Sequence, residues 1–244
     1  MTAQFKAELL KIRSTRTTIG LVLGLIALIL LFSLLSGLLT KAPSLVSAED
    51  QRGALSVGSL AGVFSALAGV MLVTSEYRYG TIRPTFLFTP KRSRVLAAKI
   101  AAGLLAGLIF GILGEGLGFA IGYTSLSARG IHFALNGNQV ALLLLGTFAA
   151  TALWGAIGVG LGAIVRSQVG AIIGLLAWGF VAEDLLFAFV PSAGRFAPVH
   201  AGDGFIGLTT DHLLHPTAGG LILTAWTTAI ALVGVAVVAR RDVN

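Results

Sequence analysis

The sequence predicts an all-α integral membrane protein with six transmembrane helices, and three observations carry that reading. First, 56% of the residues are hydrophobic and only 11% are charged, with a mean hydropathy of +0.92, a composition that suits a bilayer better than a soluble surface. Second, uncharged apolar stretches recur that match the roughly 20 helical residues needed to cross a hydrocarbon core. Third, the lysines and arginines stand between those stretches. They are topology signals, so the formal charge of +7 and the isoelectric point near 10.4 do not point to nucleic acid. Cysteine is absent, which excludes disulfides, thiolate nucleophiles and thiol-based metal or iron–sulfur sites.

Residues 1–16 place Phe5, Leu9 and Ile12 at helical spacing, with Lys6, Lys11, Arg13 and Arg16 elsewhere, the pattern of an amphipathic interfacial helix. Residues 17–40 carry no charge and form the first span. Val46-Ser47-Ala48 has the look of a signal-peptide cleavage site, but the apolar run exceeds the ~7 to 15 residues of a signal core, so it reads as a span. Residues 41–52, near charge balance, are an outer loop. The remaining spans cover 53–75, 95–123 (with Lys99 reaching back to the inner interface), 140–165, 169–184 and 217–239. Residues 124–139 form an outer connection and Arg166-Ser167-Gln168 an inner turn. Residues 185–216 are apolar yet broken by Pro191, Gly194, Pro198 and Gly204. That pattern fits an outer re-entrant or interfacial helical pair, tolerated where other protein satisfies its backbone.

The longest charged interruption, residues 76–94, sets the orientation. Arg78, Arg83, Lys91, Arg92 and Arg94, with Lys99 beyond, face one acid, Glu76, which places the loop in the cytoplasm. Lys6, Lys11, Arg13, Arg16, Arg166, Arg240 and Arg241 then fall inside too, and only Lys41, Arg52, Arg129 and Arg195 outside; both termini are cytoplasmic. Gly80 offers a bend and Thr81 a cap for a short helix over Ile82–Phe88, with Pro84 tolerable in its first turn. Thr89-Pro90 opens the long helix that follows. A basic loop resting on anionic lipid is one reading. Phe86 and Phe88 favour another, in which a protein surface receives them. Glu76, pairing with Arg92, Arg94 or Arg166, would fix the loop's angle to the membrane.

Gly103, Gly107 and Gly111, followed by Gly114, Gly118 and Gly122 in a second register, let helix backbones approach closely within the chain or across a dimer. Gly158 with Gly162 and Gly170 with Gly174 repeat the spacing. Glu115, Glu183 and Asp184 are acids in or near the membrane, where they serve either as a proton or cation relay or as anchors for the broken segment, with Arg195 as partner. Structure is the expected role. Asp211, His212 and His215 have metal-compatible spacing but no visible further ligands, and read as a solvated loop. No G-x-x-x-x-G-K-[ST], H-E-x-x-H or G-x-S-x-G motif is present, and no histidine lies in a span to activate an intramembrane nucleophile. No catalytic residue is expected.

The Glu76-Tyr77-Arg78-Tyr79-Gly80-Thr81-Ile82-Arg83 run, with Thr89-Pro90 and the basic cluster after it, carries a resemblance to a known family. The Arg166 turn, Ala182-Glu183 with Leu185-Leu186 and Pro191, and the terminal Arg240-Arg241-Asp242 add to it. The chain resembles, over essentially its full length, the ABC-2 type permeases, membrane subunits of ABC exporters that move drugs, lipids, polysaccharides or peptides. The resemblance implies that residues 1–16 are an elbow helix and that residues 81–88 are a coupling helix docking into a separate ATPase. In that docking Phe86 or Phe88 would be the plug and Arg83 a rim contact. It also implies two permeases, here a homodimer, working with two ATPase subunits that hold the ATP and Mg. The chain lacks the large outer domain of some members, which speaks against lipoprotein-release or mechanotransmission roles. The expected site is a bacterial cytoplasmic membrane. The alternatives are an ATP-independent carrier or channel using Glu115, Glu183 and Asp184, and a non-transporting scaffold.

Overall fold

A computed structural model describes residues 2–88, 91–209 and 211–240, and these are helical with no strand among them. The helices, in order, are α1 (Thr2–Ser14), α2 (Arg16–Leu39), α3 (Ala48–Leu55), α4 (Ala61–Arg78), α5 (Ile82–Phe88), α6 (Arg92–Ala128) and α7 (Gly137–Val165). They continue with α8 (Gln168–Ala177), α9 (Glu183–Phe189), α10 (Pro191–Gly194), α11 (Pro198–Phe205) and α12 (Pro216–Arg240). A 3-10 turn at Ser56–Leu60 joins α3 to α4, and a π-helical turn at Trp178–Ala182 joins α8 to α9. The result is six helices long and apolar enough to cross a membrane: α2, Ala48–Arg78, α6, α7, Gln168–Phe189 and α12.

α7 is the hub, packed against α4, α6 and α12. It can approach them closely because glycine meets glycine: a Cβ on Gly103 of α6 would stand 2.8 Å from the Gly155 carbonyl of α7, and one on Gly155 would collide with the Gly103 carbonyl. Gly107 and Gly111 abut Thr151 of α7, while Gly114, Gly118 and Gly122 abut Ala61, Gly58 and Leu55. This stripe is therefore used for helix packing within the chain, on both registers. Small residues serve here to bring backbones into van der Waals contact, the packing that stands in for a hydrophobic driving force between helices in lipid. The least buried of the long helices are α2 and the α8–α9 run, which carry the free apolar faces.

Two expected boundaries move. Residues 41–52 are not simply a loop: Ser47 caps α3 by accepting the Asp50 N–H, and buried Gln51 ties the segment down. The Gln51 amide donates to the Leu45 and His132 carbonyls at 3.0 and 2.8 Å, and its oxygen accepts the Ala134 N–H at 2.9 Å. Arg52, expected in outer solvent, is buried and donates to the Gly207 carbonyl. The fifth long helix also continues past residue 184 to Phe189. Its acids do not end it, because the Glu183 carboxylate finds donors on another helix.

Candidate functional site

The segment after α4 folds as its residues dictate. Tyr79 caps α4, Gly80 turns the chain with φ +69, and Ile82, only 4% exposed, roots α5 in the bundle. The Thr81 carbonyl accepts from the Thr85 hydroxyl at 2.9 Å. The two phenylalanines part company. Phe86 packs onto the core formed by Val73, Leu96 and Val238, with the Arg92 guanidinium 5.4 Å from its ring centre. Phe88, 90% exposed, points away with Leu87, and Arg83 and Arg94 are exposed as well. Phe86 is thus a foot of the loop rather than a free plug, and Phe88 is the aromatic a partner could receive. Thr89 and Pro90 lie outside the described residues.

Beside that foot lies a buried charge cluster. Lys99 is 1% exposed; its Nζ donates to Glu76 Oε1 at 2.7 Å, Glu8 Oε2 at 2.9 Å and the Leu72 carbonyl at 2.9 Å. Lys11 closes the square, donating to Glu8 Oε1 at 3.0 Å and to Glu76 Oε1. Two carboxylates thus face two ammonium groups drawn from α1, α4 and α6, an arrangement that offsets the several kcal/mol cost of desolvating each ion. Burial pulls the Lys11 ammonium down, but Glu76, joined by Glu8, outweighs it and holds the group above the ordinary lysine value. This corrects two expectations. Glu76 pairs with Lys99 and Lys11, not with Arg92, Arg94 or Arg166, and Lys99 points into the bundle instead of reaching for the interface. Arg166 lies over the Tyr77 ring at 5.4 Å and donates to the Val237 carbonyl at 3.3 Å. Phe5, Leu9 and Ile12 press the apolar face of α1 against the same core. A legible sign of the cluster was Lys99 itself, a base set inside an apolar run, with Glu8 as the one acid in a basic helix.

The opposite end of the bundle holds a second group of acids. Glu183 is fully buried. Its Oε1 accepts the backbone N–H groups of Val199 and His200, the latter at 3.0 Å, and so caps α11, whose own N-cap Ala197 has no side chain to do it. The His200 ring stacks on Phe187 at 4.1 Å, with Nδ1 3.4 Å from Glu183 and Nε2 3.7 Å from Asp184. Burial pushes this imidazole below its ordinary value, against the pull of Asp184. Arg195, expected to pair with Glu183 or Glu115, instead lies over the Phe196 ring at 4.9 Å. Glu115 is fully buried against Gly58 on the turn before α4, and neither carboxylate oxygen has a hydrogen-bond partner. The sequence reading passed over Asp203, half-buried on α11 close to Asp184. The sequence marks it only as an acid inside a broken apolar segment. The His215 ring meets the Thr217 hydroxyl at 3.1 Å, and among the described residues no group of three or more histidines and acids could hold a metal, Asp211 and His212 included.

These features define an all-helical chain whose six long apolar helices are compatible with a multi-pass membrane protein. No protein-family model matches the chain, and no curated protein matches it.

Proposed function

We propose that the chain is the membrane subunit of an ATP-driven ABC exporter of the ABC-2 type. It would move an apolar or amphipathic substrate across a bacterial cytoplasmic membrane. One observation carries the reading: α5 is fastened to the bundle by Ile82 and Phe86 while it offers Phe88, Leu87 and Arg83 outward. In this reading α5 is the coupling helix and its face enters a separate ATPase, one per permease, which supplies ATP, Mg and hydrolysis. The basic residues of this end lie in the cytoplasm with both termini. α1 is the elbow helix, and the segment from α10 to α11 is the outer re-entrant element. A second copy of the chain completes the translocator, and with the glycine stripe already used, the free faces of α2 and α8–α9 are left for it and for lipid.

The buried cluster gives the coupling face a lever. A push on α5 reaches α4 and α6 through a foot set beside Lys99 and Glu76, and α1 moves with them. An exposed aromatic gains little in water but contributes about 2 kcal/mol or more when it fills a partner's pocket. Phe88→Ala should therefore leave membrane insertion and thermal stability unchanged and cut co-purification of the ATPase at least tenfold. Arg83→Glu should weaken it less. Phe86→Ala should lower stability as well, by about 1 to 3 kcal/mol, because it leaves a hole in packed core. Cross-links from a cysteine at Phe88 that reach only lipid, in vesicles transporting with ATP, would remove the coupling assignment.

The competing reading, an ATP-independent carrier or channel, draws on Glu115, whose buried and unpartnered carboxylate is the kind of group an ion path uses. It requires transport that follows an imposed proton gradient without nucleotide and stops in Glu115→Gln.

A further inference from the structure

Between α4, α7, the α8–α9 run and α11 lies a cavity of about 280 Å³, near the lower end of the size range of small-molecule sites, roughly 300 to 1,000 Å³. Its walls are largely apolar. Trp154 of α7 stands across it, close enough that a Cβ on Gly62 of α4 would lie 3.2 Å from the indole and one on Gly202 of α11 3.8 Å from Nε1. Trp178, at the π-helical turn, forms a further wall. Besides Ser59 and the hydroxyls of Thr147 and Thr151, which donate back to carbonyls of α7, the polar contribution is acidic: half-buried Asp203 and the more exposed Asp184 both line the cavity, with Glu183 behind them on the α11 N-terminus. Among the described residues no lysine or arginine pairs with any of these three acids. The arginines of this end are committed elsewhere: Arg195 lies over Phe196, Arg52 donates to the Gly207 carbonyl and Arg129 to the Thr40 carbonyl.

A carboxylate pair on a largely apolar wall, with no lysine or arginine among the described residues to answer it, lowers its energy when a positive group enters, and the indoles offer apolar surface to the rest of the molecule. We propose that this cavity binds a lipophilic cation, an apolar or aromatic body carrying one ammonium-type group, with the charge between Asp184 and Asp203 and the body against Trp154 and Trp178. The proposal deepens the exporter reading by naming the chemical class of its substrate, and it assigns Asp203 a binding role.

The test uses the permease alone in nanodiscs, without ATPase. Three ligands share one skeleton, 4-phenylbutylamine, 4-phenylbutanol and 4-phenylbutyrate, and binding is read from tryptophan fluorescence and calorimetry against empty nanodiscs. The amine should bind at least tenfold more tightly than the alcohol, and the carboxylate should not bind. Asp203→Asn and Asp184→Asn should each reduce amine affinity about tenfold while the alcohol is unaffected, and Trp154→Phe should reduce the fluorescence response. Equal affinity for amine and alcohol in the unaltered protein would overturn the site, as would amine binding indifferent to both aspartate variants. Because no ATPase is present, loss of the site leaves the coupling assignment standing, and failure to find an ATPase leaves a measured amine preference standing.

Discussion

The two ends of this bundle partner their acids in opposite ways. At the end that carries α5, Glu8 and Glu76 share Lys11 and Lys99 within 3.0 Å, so that two negative charges meet two positive ones. At the other end buried Glu183, half-buried Asp203 and exposed Asp184 gather with one histidine and, among the described residues, no lysine or arginine. Taking an ion out of water costs several kcal/mol unless something inside replaces the water. The first end answers that cost with opposite charge drawn from three helices, and so welds them. The second answers part of it with backbone N–H groups at the start of α11 and leaves the rest unanswered. A balanced cluster is a strut, while an unbalanced one beside a cavity is a place for something that arrives with charge.

Breaking the strut should have the largest effect. Lys99→Met leaves Glu8 and Glu76 with Lys11 alone between them and one buried charge uncompensated, and should destabilise the protein by about 3 to 5 kcal/mol. The measurement is thermal unfolding in nanodiscs, where the loss should be much smaller in the double variant Lys99→Met, Glu76→Gln. If the single and double variants unfold alike, the cluster is not holding the helices together. Next comes the far end: Glu183→Ala uncaps α11 and should cost about 1.5 to 3 kcal/mol, the range for hydrogen bonds to a charged acceptor. The loss should appear as faster hydrogen exchange at Val199 and His200, with Glu183→Gln much milder because its amide oxygen can still accept. Unchanged exchange in Glu183→Ala would mean that the cap is not formed. The smallest effect sharpens the contrast. Asp203→Asn removes an unpaired acid next to Asp184, so the empty protein should be unchanged or more stable by up to about 1 kcal/mol. A clear destabilisation would reveal a cationic partner for Asp203.

Much of the architecture was legible because it is written in short-range pattern. The apolar runs gave the six long helices, Phe5, Leu9 and Ile12 gave the buried face of α1, and the turn residues around Gly80 gave α5 over Ile82–Phe88. The partners of the charges were not legible, since Lys99 finds Glu8 ninety-one residues away, and the sequence does not tell Arg92 or Arg94 in the first turn of α6 from Lys99 further along the same helix as the partner of Glu76. The fifth span read short for a related reason. Charges at 183 and 184 look like an exit from the membrane until a second helix presents its N–H groups to one of them. The glycine stripe announced close packing but not with what; only the facing backbones of α7 and α4 decide that. In the candidate site the loop's outward face was half visible, because Phe86 and Phe88 differ in direction on a single helical turn and not in type.

The π-helical turn at Trp178–Ala182 governs the phase of everything beyond it. At about 100° per residue in α geometry, side chains five apart would diverge by about 140°. Here the Glu183 N–H instead bonds back to the Trp178 carbonyl, five residues before it. This wider turn absorbs one residue and brings the two side chains round toward a common face, so that one rod points an indole into the cavity and a carboxylate at α11. Were the same residues wound at the α pitch throughout, with none removed, the α9 end would turn by about 100° relative to α8. Every hydrophobic residue would still be present and the span still long enough, but the helix would be out of gear with the segment it now holds.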